Sequence, residues 1–149
     1  VIGGAAGAAP VLIGWAAVTD ALTAGAWRLF LVLFLWQLPH FLAIGWMYRA
    51  DYLRAGLRMM PADQGEAATV RQVVVWSMAL VTATLLPAVS GDAGPAYLAA
   101  ALLLGGLFLG AALRLAQRRT PLAARALLKA SVAYLPLLLA ALALDVLLP

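Results

Sequence analysis

Leu29-Phe30-Leu31-Val32-Leu33-Phe34-Leu35-Trp36-Gln37-Leu38-Pro39-His40-Phe41-Leu42-Ala43-Ile44-Gly45-Trp46-Met47-Tyr48 contains no Asp, Glu, Lys or Arg. About 20 apolar residues, coiled as a helix, cross the hydrocarbon of a bilayer. The run shows no period-2 alternation of the kind a half-buried strand needs. A membrane admits only helices and closed barrels, because no water satisfies a bare backbone there. This stretch therefore predicts a transmembrane helix. Four more stretches read the same way, at about Val1 to Thr19, Gln72 to Val89, Ala96 to Leu115 and Ala126 to Leu148. The fold class expected is all-α, a polytopic transmembrane bundle of about five spans forming a single domain over residues 1–149.

Composition agrees. The chain is 66% hydrophobic and 11% charged, with a mean hydropathy of +1.00. Soluble domains run at about 45–50% apolar and about 25% charged. With 0 Cys and 1 His, disulfides, thiol chemistry and multi-histidine metal sites are excluded. The net charge of +4 is read as membrane orientation and not as nucleic-acid binding. With the second and fourth connections facing the cytoplasm, nine of the ten basic residues lie on that side and Arg28 alone opposite. Asp20, Asp92 and Asp145 fall on the far side, which places the C-terminus outside. The chain opens Val1-Ile2-Gly3-Gly4, inside an apolar run and without Met, and is read as a piece of a longer polytopic protein.

Small residues suggest how the spans meet. Gly3/Gly7 and Gly106/Gly110 are G-x-x-x-G spacings, which let helix backbones approach closely. Pro10, Pro39, Pro87 and Pro136 are expected to kink or end their spans. Ser131 and Tyr134 read as interhelical hydrogen-bonding groups, and Arg114, Arg118 and Arg119 as a snorkelling cluster.

Chemistry concentrates at the mouth of the second span, in Trp46-Met47-Tyr48-Arg49-Ala50-Asp51-Tyr52-Leu53-Arg54-Ala55-Gly56-Leu57-Arg58-Met59-Met60-Pro61. On a helix Asp51 and Arg54 are i,i+3 neighbours, and Arg54 and Arg58 are i,i+4 neighbours. Such arginines fork onto phosphate oxygens, and the carboxylate can hold a Mg²⁺ bridging the same phosphates. The plainer alternative is a basic membrane anchor with an incidental ion pair. His40 lies inside the span, where an ionisable group marks a functional site by default. It could equally be a neutral imidazole bonded to a carbonyl freed by Pro39. Gln37, one turn earlier, could face the same cavity as His40.

Trp36-Gln37-Leu38-Pro39-His40-Phe41, followed by Tyr48-Arg49-Ala50-Asp51-Tyr52-x-x-Ala55-Gly56 and Met59-Met60-Pro61, resembles the UbiA-type intramembrane prenyltransferases, specifically their heme-farnesylating branch. The opening Val1 to Pro10, Ile13 to Ala17 and, more loosely, Ala126 to Leu139 share the likeness. The resemblance implies a nine-helix bundle whose cavity opens to the cytoplasm of a bacterial inner membrane, with this chain as its C-terminal five helices. It implies transfer of a farnesyl group from farnesyl diphosphate to a vinyl group of heme b, with Mg²⁺ carried on the diphosphate. Asp51 would hold the metal and act in catalysis with His40. Arg49, Arg54, Arg58 and Gln37 would bind substrate. Relatives that have Asp-x-x-x-Asp here are matched by Asp51 and Ala55, as in the heme branch, which leaves one carboxylate. The family's first acidic motif is absent from this sequence, so the chain alone is expected to be inactive. Heme-handling membrane proteins are expected partners. The alternatives are a family member acting on a quinone or chlorophyll precursor, a transporter half, and a membrane scaffold. The enzymatic reading requires a hollow between the helices behind Asp51 and its arginines.

Overall fold

The computed structural model describes residues 2–56 and 65–147. Among these described residues seven helices follow in order: α1 (Ile2–Thr19), α2 (Ala24–Met47), α3 (Arg49–Arg54), α4 (Gly65–Thr84), α5 (Leu86–Val89), α6 (Pro95–Arg118) and α7 (Pro121–Leu147). The all-α expectation holds. Four helical stretches are long and apolar enough to cross a membrane: Ala24–Met47, Gly65–Val89, Pro95–Arg118 and Pro121–Asp145. At 24 residues, α2 is about 36 Å long, against about 30 Å of hydrocarbon. The fifth, Gly3–Thr19, is apolar but shorter.

Local chemistry sets the ends. The chain turns from α1 into α2 at Asp20, whose φ of 52° is a left-handed conformation that Asp tolerates better than most residues. Pro95 opens α6 at a position where its missing N–H costs nothing. Arg119 closes α6 with φ 50°, a left-handed cap position more often held by glycine. Thr120 then accepts a hydrogen bond from the Ala123 N–H at 3.2 Å, capping α7, with Pro121 as its first residue. The expected third span is interrupted. Pro87 has no N–H to continue the ladder, so α4 stops at Thr84 and a short α5 resumes after Leu85.

Helices α2, α4, α6 and α7 close a ring, each packed on the next and α7 back on α2, while α1 packs chiefly on α2. Inside the ring are Val32, Leu35 and Trp46 of α2, Val73 and Leu80 of α4, Phe108 and Leu115 of α6, and Leu127 and Leu138 of α7. Outside, Leu102, Leu103, Leu107, Val132 and Leu144 are exposed. Helices apolar on both faces suit a bundle bathed in lipid. Thr69 and Ser77 satisfy their hydroxyls on their own helix, at the Gly65 and Val73 carbonyls. At the break in α4, the Tyr97 hydroxyl donates to the Thr84 carbonyl at 2.8 Å and the Tyr134 hydroxyl to Thr84 Oγ1 at 3.1 Å. Three helices are thus tied at the point where Pro87 ends the helical ladder.

The glycine spacings work differently from expectation. A Cβ on Gly7 would run into the Gln37 amide, and one on Gly4 would meet the Phe34 ring at 3.2 Å. A Cβ on Gly3 would meet nothing, so the close approach of α1 and α2 rests on Gly4 and Gly7. In α6 the close contact is Gly105 against Val81 at 3.0 Å, whereas Gly106 and Gly110 have open space. The residue pairs are displaced because a helix presents one narrow stripe, and a spacing alone does not say which stripe meets a neighbour.

The two ends of the bundle differ in charge as expected. Asp20, Arg28, Asp92 and Asp145 gather at one end. There Arg28 pairs with Asp92, and Asp145 accepts the backbone N–H groups of Gly94 and Tyr97. A carboxylate from the end of α7 thereby caps the positive start of α6. Replacing it (Asp145→Ala) is expected to destabilise the bundle by about 1–2 kcal/mol, the usual value of such a cap. Thermal unfolding in detergent measures this; an unchanged Tm would show that the cap contributes nothing.

Candidate functional site

Polar side chains of α2 are distributed around its circumference by the helical period. Trp36 and His40, four residues apart, share the face toward α7. The Trp36 indole N–H donates to the Ser131 carbonyl at 2.7 Å, and His40 Nδ1 lies 2.8 Å from Ser131 Oγ. The two rings stack with centroids 4.7 Å apart. Ser131 Oγ also donates to the Leu128 carbonyl at 2.7 Å. A carbonyl can only accept, so with the hydroxyl proton directed there both contacts are satisfied when His40 carries its proton on Nδ1. That tautomer leaves the Nε2 lone pair available. The Pro39-freed carbonyl is therefore not the partner of His40; a side chain on another helix is.

Gln37 is buried on a different face. Its amide donates to the Leu33 carbonyl at 3.3 Å and abuts Gly7 of α1. The structure accordingly separates Gln37 from His40, although one turn of helix links them.

Beyond Met47 the ladder shifts at Tyr48, and α3 carries Arg49, Asp51 and Arg54. Asp51 and Arg54 form the expected i,i+3 ion pair. Both stand in the open, with side chains 59% and 78% exposed. Arg49 is held more firmly: its guanidinium lies 5.3 Å from the centre of the Trp46 ring and pairs with Glu66 at the start of α4. Trp46 is 1% exposed, and its indole N–H has no hydrogen-bond partner among the described residues. Arg58 and the Met59-Met60-Pro61 motif lie outside the described residues.

Among the described residues no group of three metal-ligating side chains forms. One cavity, of about 370 Å³, lies between α6 and α7 beside Arg118 and Arg125. Another, of about 200 Å³, lies at the opposite end of the bundle beside Trp15 and Arg28. Neither of these cavities adjoins Asp51, and residues 57–64 beside it lie outside the described residues.

Sequence reasoning missed the link between His40 and Ser131, which are 91 residues apart. Each was singled out, but nothing local pairs them. It also missed Glu66, which lies in the first turn of a helix within the stretch 49–71 that reads as a connection.

The UbiA prenyltransferase family model matches residues 1–144. The chain is 47% identical over 145 residues to the protoheme IX farnesyltransferase of Solibacter usitatus, covering 97% of this chain and 50% of that protein. It is 46% identical to the protoheme IX farnesyltransferases of Bordetella petrii and of a Roseiflexus species, covering 49% and 27% of those proteins. The chain spans about half the length of most curated relatives it matches. No solved structure matches.

The clasp at Ser131 is separable into its side-chain and backbone parts. Ser131→Ala removes the partner of His40 and is expected to lower stability by about 1–2 kcal/mol. Ser131→Thr, which keeps a hydroxyl, should retain most of it. Equal Tm values for the wild type and Ser131→Ala in detergent would deny the His40–Ser131 bond any part in stability.

Proposed function

Since the chain belongs to the UbiA prenyltransferase family, we propose that it is the C-terminal part of an intramembrane enzyme that farnesylates heme b to heme O. The observation that carries this reading is its 46–47% identity, along nearly all of its length, to relatives named protoheme IX farnesyltransferase. Two features of the structure support it. A polar constellation sits inside the bundle at His40, and an ion-pair cluster sits at the mouth of the same helix. His40 lies about 10 Å along the axis from the end of α2, so one helix carries both the interior group and the charged mouth. Residues 1–149 would form one domain of the bacterial inner membrane, with the arginine-rich end in the cytoplasm and the C-terminus outside.

As the one carboxylate of its motif, Asp51 suits a metal that arrives on its substrate better than a resident metal cage. Mg²⁺ takes few protein ligands when phosphates supply the others. Asp51 would contribute one oxygen, and the bound ion would neutralise charge on the diphosphate. Arg49, Arg54 and Arg58 would hold the remaining phosphate oxygens. In the absence of substrate Arg54 is occupied by Asp51, and both are open enough to exchange that partner for diphosphate and metal. Their charge would stabilise the diphosphate as the allylic C–O bond breaks and its electron pair departs with the oxygen. The farnesyl carbon would then bond to the heme vinyl carbon, and water would add to the resulting cation with loss of one proton. His40 Nε2, turned away from Ser131, would orient that water or face the heme. The cavity itself would be completed by further helices of a full-length protein.

The test uses the natural full-length protein in membranes, supplied with heme b, farnesyl diphosphate and Mg²⁺, with heme O quantified by chromatography. Asp51→Asn is expected to lower the rate by about a hundredfold to a thousandfold, the usual cost of removing one charge-stabilising group. His40→Ala is expected to cost about a hundredfold if it handles the proton. Unchanged heme O formation in both variants would overturn the assignment.

A further inference from the structure

The cavity of about 370 Å³ between the end of α6 and the start of α7 is lined by Arg114, Arg118, Arg125 and Lys129, together with Thr120 and Leu122. A positive-inside bias accounts for cations at this end of the bundle, but not for four of them converging on one cavity. Arg114 and Arg118 are i,i+4 on α6, and Arg125 and Lys129 are i,i+4 on α7. Like charges at that spacing repel. None of the four forms an ion pair among the described residues. The described carboxylates lie elsewhere: Asp51 pairs with Arg54, Glu66 with Arg49, and Asp20, Asp92 and Asp145 stand at the opposite end. Within the described residues, this is a cavity with four positive charges and no anion.

The surroundings select the kind of anion. The cavity lies where two apolar spans end, and its apolar lining includes Ala123, Ala126 and Leu122, the last 72% exposed. A free phosphate would use the cations and leave that apolar rim bare. A phospholipid would use both, with its headgroup among the cations and its acyl chains along the outer faces of α6 and α7. Basic pockets between transmembrane helices are suited to multiply charged lipid headgroups.

We propose that this α6–α7 pocket binds the headgroup of an anionic phospholipid, with Arg114, Arg118, Arg125 and Lys129 neutralising its phosphates. The site shares no residue with the Asp51 mouth and stands whether or not that mouth handles diphosphate.

The experiment measures the Tm of the full-length protein in detergent while tetraoleoyl cardiolipin, which carries two phosphates, is titrated. Parallel titrations use dioleoyl phosphatidylcholine and inorganic diphosphate. Cardiolipin is expected to raise the Tm and phosphatidylcholine to leave it unchanged. The double variant Arg118→Gln/Arg125→Gln should weaken the apparent affinity for cardiolipin about thirtyfold, as for two lost surface cations. Arg118→Lys/Arg125→Lys, which keeps the charge, and Arg71→Gln, an exposed arginine outside the cavity, should both retain the response. The proposal is overturned if cardiolipin acts no differently from phosphatidylcholine, or if the double glutamine variant responds like the wild type. It is overturned too if inorganic diphosphate reproduces the shift and the same variant abolishes it, since the pocket would then read free phosphate.

Discussion

A polar side chain inside a membrane bundle has no water to turn to, so its partner must come from another part of the protein. Ser131 fills that place for two side chains of α2, accepting the Trp36 indole on its carbonyl and meeting His40 on its hydroxyl. Through this clasp α7 closes back on α2, and the four-helix ring becomes complete. It also fixes the orientation of the only histidine in the chain. The stacked Trp36 ring limits rotation of the imidazole, and the shared hydroxyl selects which nitrogen carries the proton. Stability and candidate chemistry therefore depend on the same contact.

The charged ends are organised by different logic. At the end holding Asp145, carboxylates find partners inside the chain: a guanidinium at Arg28 and the bare N–H groups at the start of α6. At the arginine-rich end there are more cations than carboxylates. Arg49 and Arg54 are paired, while the α6–α7 cations have no partner among the described residues. Excess positive charge at a membrane surface orients a chain, and both proposed anion sites of this bundle lie at that end. One is the open ion-pair cluster of α3, and the other is the basic cavity at the α6–α7 turn.

Much of the fold was legible in the sequence because the signals were local and long. Uninterrupted runs of Leu, Ala and Val predict membrane helices whatever they pack against, and the segregation of arginines predicts which ends lie together. Span boundaries moved outward, since Arg28, Glu66 and Arg71 extend helices without belonging to the apolar core. Pro87 was read correctly as a disruption, but its partners Tyr97 and Tyr134 come from other helices. The glycine spacings misled because Gly106 and Gly110 satisfy the pattern while Gly105 makes the contact. For the site, the Asp51–Arg54 pair followed from helix periodicity. The separation of Gln37 from His40 did not, because it depends on α1 lying on one side of α2 and α7 on another. The expected hollow behind Asp51 depends on what packs around α3, which no local pattern reports.

The central claim is that the mouth of α2 holds a diphosphate together with a divalent metal, and binding measures it without the complication of turnover. Calorimetric titration of the full-length protein with a non-hydrolysable farnesyl diphosphate analogue should show binding that requires Mg²⁺. Asp51→Asn should abolish the metal requirement, and Arg54→Gln should weaken binding about tenfold or more. Binding of equal strength with and without Mg²⁺, or unaltered in both variants, would contradict the account.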